Sequence, residues 1–146
     1  METLCNVHAD LMSLHTDERL QLVDITPRLE ARIRATEVTD GIALVSSMHT
    51  TLALFINECQ EALLHDIRTF LTDLVDRDRD WRHNDPRFSD CDRRNADAHL
   101  RASLLGHSIA IPVYNGRLGL GTFQSVIAAE LDGPRTRSLH LQVLGR

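Results

Sequence analysis

The sequence predicts an α+β fold of mostly antiparallel β-sheets packed with helices on one side, in the order ββαββααβββ. Three observations carry this. Apolar runs of strand length recur along the chain, and three stretches show helical spacing instead. The late reversals are tight: Asn115-Gly116 is the strongest short hairpin signal, and Asp132-Gly133-Pro134 marks the next turn.

From Thr3 to Leu14 the apolar residues Leu4, Val7, Ala9 and Leu11 give an imperfect period of two, and Leu20 to Ile25 gives a second short run. The polar turn Thr16-Asp17-Glu18 joins them. Thr26-Pro27 reads as an N-cap followed by proline at the first helical position, with Leu29 and Ile33 continuing the helix and Asp40-Gly41 ending it. Gly41 to Val45 and Leu52 to Ile56 are apolar runs of buried strands that meet at a polar segment, setting His49 near a strand end. Asn57, with Gln60 three residues on, fits a capping box for a helix carrying Leu63, Ile67, Phe70, Leu71 and Leu74.

Asp76 to Arg94 is charged, with Trp81, Pro86 and Phe88 as its only bulky apolar residues. A loop of that length in a compact domain is functional or mobile. A helix from about Asn95 to Leu105 follows, with Gly106 as its C-terminal cap. The closing strands are Ser108 to Val113, Leu118 to Leu131 with an interruption near Gly121, and Ser138 to Leu144.

A chain of 146 residues is expected to form one domain, 1–146. Folding removes roughly 70% of the unfolded surface from water at this size. The net charge of -5, with no long basic run, argues against nucleic acid as a partner. Arginines 77, 79, 82, 87, 93 and 94 alternate with aspartates and read as a solvated face. No apolar stretch approaches the roughly 20 residues of a membrane span, and Met1 to Asp10 carries acids without a basic region, so no membrane association or export is expected. Cys5, Cys59 and Cys91 are odd in number and lack CxxC spacing. They point to a reducing, cytoplasmic setting and to neither a disulfide framework nor a zinc ribbon.

The densest chemistry lies between Asn95 and Arg137. Asn95 and His99 stand one helical turn apart, so both side chains leave one face; Asn95 reads either as a plain N-cap or as a pocket residue. Asn57 and Glu58 divide the same way, between a helix start and a cleft beside His49. Strict alternation puts Gln124 and Glu130 on one strand face, either inward with partners or out in solvent. Arg135 and Arg137 flank the last turn, where a guanidinium suits bidentate phosphate binding as well as solubility. His49, His83 and His99 come from a strand end, a loop and a helix. Their spacing alone makes no metal motif, although three converging imidazoles would leave an open coordination position.

Several stretches together resemble the YjbQ or UPF0047 family, also called the secondary thiamine-phosphate synthase family. These are His49-Thr50-Thr51 with Asn57-Glu58, Trp81-Arg82-His83, Asn95-Ala96-Asp97-Ala98-His99, Gly116-Arg117-Leu118, Leu120 to Gln124, and Glu130 to Arg135. They run in the family's order over about two thirds of the chain. Thr51 stands where the family more often has Ser, Trp81 where many members have Tyr, and Phe123 where many have Trp.

The resemblance implies a YjbQ-like fold, a homotrimer with its pocket near subunit boundaries, and a divalent metal, zinc foremost, on His49, His83 and His99. The enzyme expected on this basis has Asn57, Glu58, Asn95 and Gln124 as catalytic groups and Thr50, Thr51 and Arg135 as substrate contacts. The implied activity is thiamine-phosphate synthesis by displacement of pyrophosphate, a side activity of a metal-dependent enzyme whose substrate is small and phosphorylated or heterocyclic. Two other readings are a non-catalytic trimeric module that binds an anionic ligand, and a structural subunit with dispersed histidines.

Overall fold

The computed structural model describes residues 5–146. The strands are β1 (Asn6–His15), β2 (Gln21–Asp24), β3 (Asp40–Ser47), β4 (Leu52–Asn57), β5 (Ser108–Tyr114), β6 (Arg117–Leu118), β7 (Ser125–Glu130) and β8 (Thr136–Gly145). The helices are α1 (Thr26–Thr36), α2 (Glu61–Leu74) and α3 (Ala96–Leu105), with one 3-10 turn at Arg82–Asn84. Thr3 and Leu4, expected in the first strand, lie outside the described residues. Among the described residues no helix is long and apolar enough to cross a membrane.

The strands form two sheets, ordered β1-β8-β3-β5-β6 and β2-β7-β4, and every pairing is antiparallel. Alternation decides what lies between them. Met12, Leu14, Ala43, Val45, Ile111, Val113, Leu139, Leu141 and Val143 of the large sheet face Leu52, Leu54, Val126 and Ala128 of the small one, with Leu29 and Ile33 of α1 in the same core. The opposite face of the small sheet, Leu22, Ala53, Ile127 and Ala129, packs on Leu64 of α2 and on Ala98 and Ala102 of α3. β7 is therefore buried on both faces, which is why it reads as an unbroken apolar run.

All three helices lie on one side of the large sheet. Its other face keeps Val7 (59% exposed), Leu11 (59%) and Ile42 (53%) in contact with water. Register puts these on one surface, because Val7 and Ile42 both pair with Leu144.

Local chemistry accounts for the places where the elements depart from expectation. Helix α1 stops at Thr36, where Glu37 takes a left-handed conformation and donates its N–H to the Arg34 carbonyl; Asp40 and Gly41 begin β3 instead of ending the helix. Thr26 is not a cap, since its Oγ1 accepts from the Val126 N–H and ties the helix to β7. The cap of α2 is Gln60, whose Oε1 accepts from the Leu63 N–H, and Asn57 ends β4. On α2 the buried residues are Leu64 and Leu71, while Phe70 and Leu74 face solvent.

The single strand expected from Leu118 to Leu131 is two strands in different sheets. Between them Gln124 folds back so that its Oε1 accepts from the Gly121 N–H, and the chain crosses to the small sheet. The Asn115-Gly116 hairpin forms as expected, both residues having positive φ, and joins β5 to β6.

Candidate functional site

Helix α3 begins with an unusual division of labour. Asn95 occupies its N-cap position, yet makes no side-chain cap bond. The cap comes from the 3-10 turn: Asn84 Oδ1 accepts from the Ala96 N–H at 3.0 Å. Relieved of that role, Asn95 is buried and uses its amide sideways, with Nδ2 donating to Asp132 Oδ2 at 2.8 Å and Oδ1 3.2 Å from His83 Nε2.

That chain fixes a proton. A carboxylate only accepts, so the Asn95 amide must present its NH2 to Asp132 and its oxygen to His83. The bond at His83 Nε2 then requires hydrogen on that nitrogen, and Nδ1 carries the lone pair of the neutral ring. One turn along α3, the His99 ring packs edge-on against His83 with centroids 4.9 Å apart and an interplanar angle of 86°. Burial holds the His99 pKa below the ordinary imidazole value, and the neighbouring His83 pushes the same way.

Asp132 anchors the group from the turn after β7. Its buried carboxylate accepts from Arg93 Nε at 2.8 Å and lies 3.4 Å from Arg135 Nη2. Burial alone would raise its pKa, but the Arg93 and Asn95 hydrogen bonds and the nearby guanidiniums outweigh that and keep it below the usual carboxylate value. Arg93, read from sequence as part of a solvated face, thus reaches back to the site.

A second buried network lies beside the first. Glu130 on β7 and Arg137 on β8 pair through Nε to Oε2 at 2.7 Å and through Nη2 to Oε1. The Thr16 hydroxyl donates to the same carboxylate, as does the Asp132 N–H, while Thr51 Oγ1 accepts from Arg137 at 2.8 Å. Every strong group there has a partner. Gly133 is required beside it, because a Cβ would run into the Glu18 carbonyl and the Glu130 side chain. His49 lies nearest to this network: its Nε2 accepts from the Ser138 N–H at 2.9 Å, and burial, then the Arg137 charge, lowers its pKa.

The structure therefore links His83, Asn95 and Arg135 through Asp132 and sets His99 against His83. Thr51 is buried under Arg137 and Thr50 is exposed in the turn before it. Asn57 and Glu58 are exposed at the end of β4, where Asn57 Oδ1 accepts from the Glu58 N–H; Gln124 is exposed and closes its own turn. No hydrogen bond or ion pair among the described residues joins these three to the imidazoles. Among the described residues no three His, Cys, Asp or Glu side chains gather as a metal ion would need. As placed, the set offers two adjacent imidazoles, with His49 Nε2 engaged by Ser138, and does not fit a three-imidazole centre.

Asp132, Arg93 and Asn84 escaped sequence reasoning. Asp132 lay inside a recognised stretch, Glu130 to Arg135, but read there only as a turn former.

These features define a small two-sheet α+β protein with a polar site held between a helix start, a loop and a strand end. The family model for UPF0047 protein YjbQ-like matches residues 10–146, and the chain belongs to that family. It is 41% identical over 140 residues to a UPF0047 protein of Methanothermobacter thermautotrophicus, covering 96% of this chain and 94% of that one. It is 34% identical to the UPF0047 protein YugU of Bacillus subtilis, over 92% of this chain and 97% of that one. Among solved structures, a YbjQ-like protein of unknown function from Sulfolobus solfataricus superposes with a TM-score of 0.90 at 35% identity, covering 97% of this chain and 99% of that one.

Proposed function

We propose that this protein is an enzyme acting on a small phosphorylated or heterocyclic substrate, with His83 and His99 as its proton-handling pair. The single observation that carries the reading is the chain His83–Asn95–Asp132, which fixes one imidazole tautomer beside a second imidazole whose pKa burial lowers. In this arrangement His83 Nδ1 is the basic atom. Asp132 is a positioning residue that acts through Asn95. Arg135, half-buried at the same carboxylate, is the nearest cation for an anionic substrate group.

The reaction class we assign is group transfer with departure of a phosphate or pyrophosphate, and thiamine-phosphate synthesis is the specific activity to assay. A metal-dependent form, with zinc as the ion best suited to imidazole ligands, would require His49 to release the Ser138 amide and join the pair. The reading includes a homotrimer, favoured by the uncovered apolar face of the large sheet. It also includes a cytoplasmic setting, with Cys5, Cys59 and Cys91 as free thiols.

The test is the synthase assay on the full chain, on chelated chain, and on chain resupplied with zinc, beside H83Q and H99A variants that retain the parent melting temperature. Turnover lost about a hundredfold or more in both variants is expected, the size typical of general acid–base groups. Background turnover by every preparation, together with a ligand-induced rise in melting temperature, would replace the enzyme with the binding module. Elemental analysis decides the metal: near one zinc per chain, absent from H99A, supports it, and metal-free active protein removes it.

A further inference from the structure

The segment from Arg77 to Arg94 forms an open cavity at the surface of about 590 Å³, within the range of small-molecule sites, and the paired imidazoles and Asp132 do not line it. Five arginines and three aspartates line it, with Trp81 and Phe88. Only one arginine is neutralised, since Arg87 holds Asp85 through Nε at 3.0 Å and Nη2 at 2.6 Å. That leaves four cations facing two carboxylates, a positive cavity in a chain of net charge -5.

Among the described residues no hydrogen bond or ion pair occupies the side chains of Arg77, Arg79, Arg82 or Arg94. Arg79 lies over the Trp81 ring and Arg82 over the Phe88 ring, each 5.0 Å from the centroid. Stacking fixes the plane of a guanidinium but leaves its N–H edges directed sideways, the geometry that grips phosphate oxygens two at a time. Each ring thus already holds a guanidinium over it.

We propose that this cavity binds a small molecule through a chain of phosphates, with Arg77, Arg79, Arg82 and Arg94 as donors. One phosphate would engage one or two of these forks, whereas a chain reaches several, so affinity should climb with phosphate number. A nucleotide and a free polyphosphate share this chemistry. With an arginine already over each ring, the phosphates and not the base carry recognition. The site is independent of the imidazole reading, and H99A is expected to bind as the parent does.

Calorimetry on the full chain with inorganic phosphate, pyrophosphate, tripolyphosphate and adenosine triphosphate tests this at fixed ionic strength. Each added phosphate is expected to tighten binding severalfold, with adenosine triphosphate within about threefold of tripolyphosphate. An R79Q/R82Q double variant with an unchanged melting temperature should bind tripolyphosphate at least about tenfold more weakly, about 1.4 kcal/mol. An R82K variant should fall between the two, because it keeps charge and loses the fork. No binding of tripolyphosphate, equal affinity across the phosphate series, an unaffected double variant, or adenosine triphosphate bound more than tenfold tighter than tripolyphosphate would each overturn the proposal.

Discussion

At the scale of single residues, direction matters more than identity. Asn95 and Asn57 both precede helices, yet one amide links an imidazole to a buried carboxylate and the other accepts from the next N–H in solvent. The difference lies in what folding brings opposite them, and only Asn95 meets Asp132. His49 shows how such placement becomes a pH dependence. Its Nε2 accepts from the Ser138 amide, so protonation destroys the bond.

Because burial, and secondarily Arg137, lowers its pKa below the ordinary imidazole value of 6.5, the unfolded chain takes up the proton first as pH falls. The contribution of His49 to stability is therefore complete above about 6.5 and is lost as pH drops through the depressed folded value. His99 has the same sign. Asp132 and Glu130, held below the usual carboxylate range, add nothing to the slope there and lose their share only in stronger acid. Thermal unfolding between pH 8 and pH 5 should show the melting temperature falling below pH 6.5, and more shallowly in H49Q, whose amide offers an oxygen that does not titrate. An identical slope in H49Q would separate His49 from this behaviour.

Helix starts and strand breaks carry the comparison at the scale of elements. The strands, the three helices and the Asn115-Gly116 hairpin were legible because each rests on local periodicity or on a residue pair with one comfortable conformation. The capping assignments were not. Any of several neighbouring polar residues can cap, and tertiary contacts drew Thr26 to β7 and Asn95 to Asp132. Half the candidate site followed from spacing, as with Asn95 and His99. Asp132 and Arg93 did not, because nothing in a turn former or in an alternating charge run says which group it will face. Asn84 is the sharpest test of this borrowed capping. N84A removes the acceptor for the Ala96 N–H and should destabilise the protein by about 0.5–2 kcal/mol in denaturant unfolding. It should also lower activity at the imidazole pair, since the 3-10 turn that carries His83 loses one of its ties to α3.

At the scale of the whole molecule, charged residues join what apolar packing separates. Glu130 and Arg137 connect the central strand of the small sheet to β8 of the large one. Asp97, fully buried, accepts a bidentate pair from Arg19 and a third bond from Arg101, which in turn donates to the Leu71 and Val75 carbonyls and holds the end of α2. Truncating one partner of such a buried pair is strongly destabilising, by about 3–5 kcal/mol. Among the described residues the apolar face carrying Val7, Leu11, Ile42 and Leu144 has no such internal partner. In the trimeric reading it is covered by neighbouring copies. Light scattering should then give about three times the 16.5 kDa chain mass, and L144E should shift the protein to monomer while leaving its helical signal intact. A parent chain that scatters as a monomer would remove the trimer.

The position of β1 has a consequence for handling the protein in concentrated solution. It is a ten-residue strand at the rim of the large sheet, hydrogen-bonded to β8 on one side only. Long open rims invite end-on growth of sheet from one molecule to the next, and natural chains discourage it with charge. Here the deterrent is Asp10, tied to Arg32 of α1 across the rim, flanked by His8 and His15. Removing that carboxylate, as in D10A, therefore weakens the guard against precipitation as well as the tie between β1 and α1.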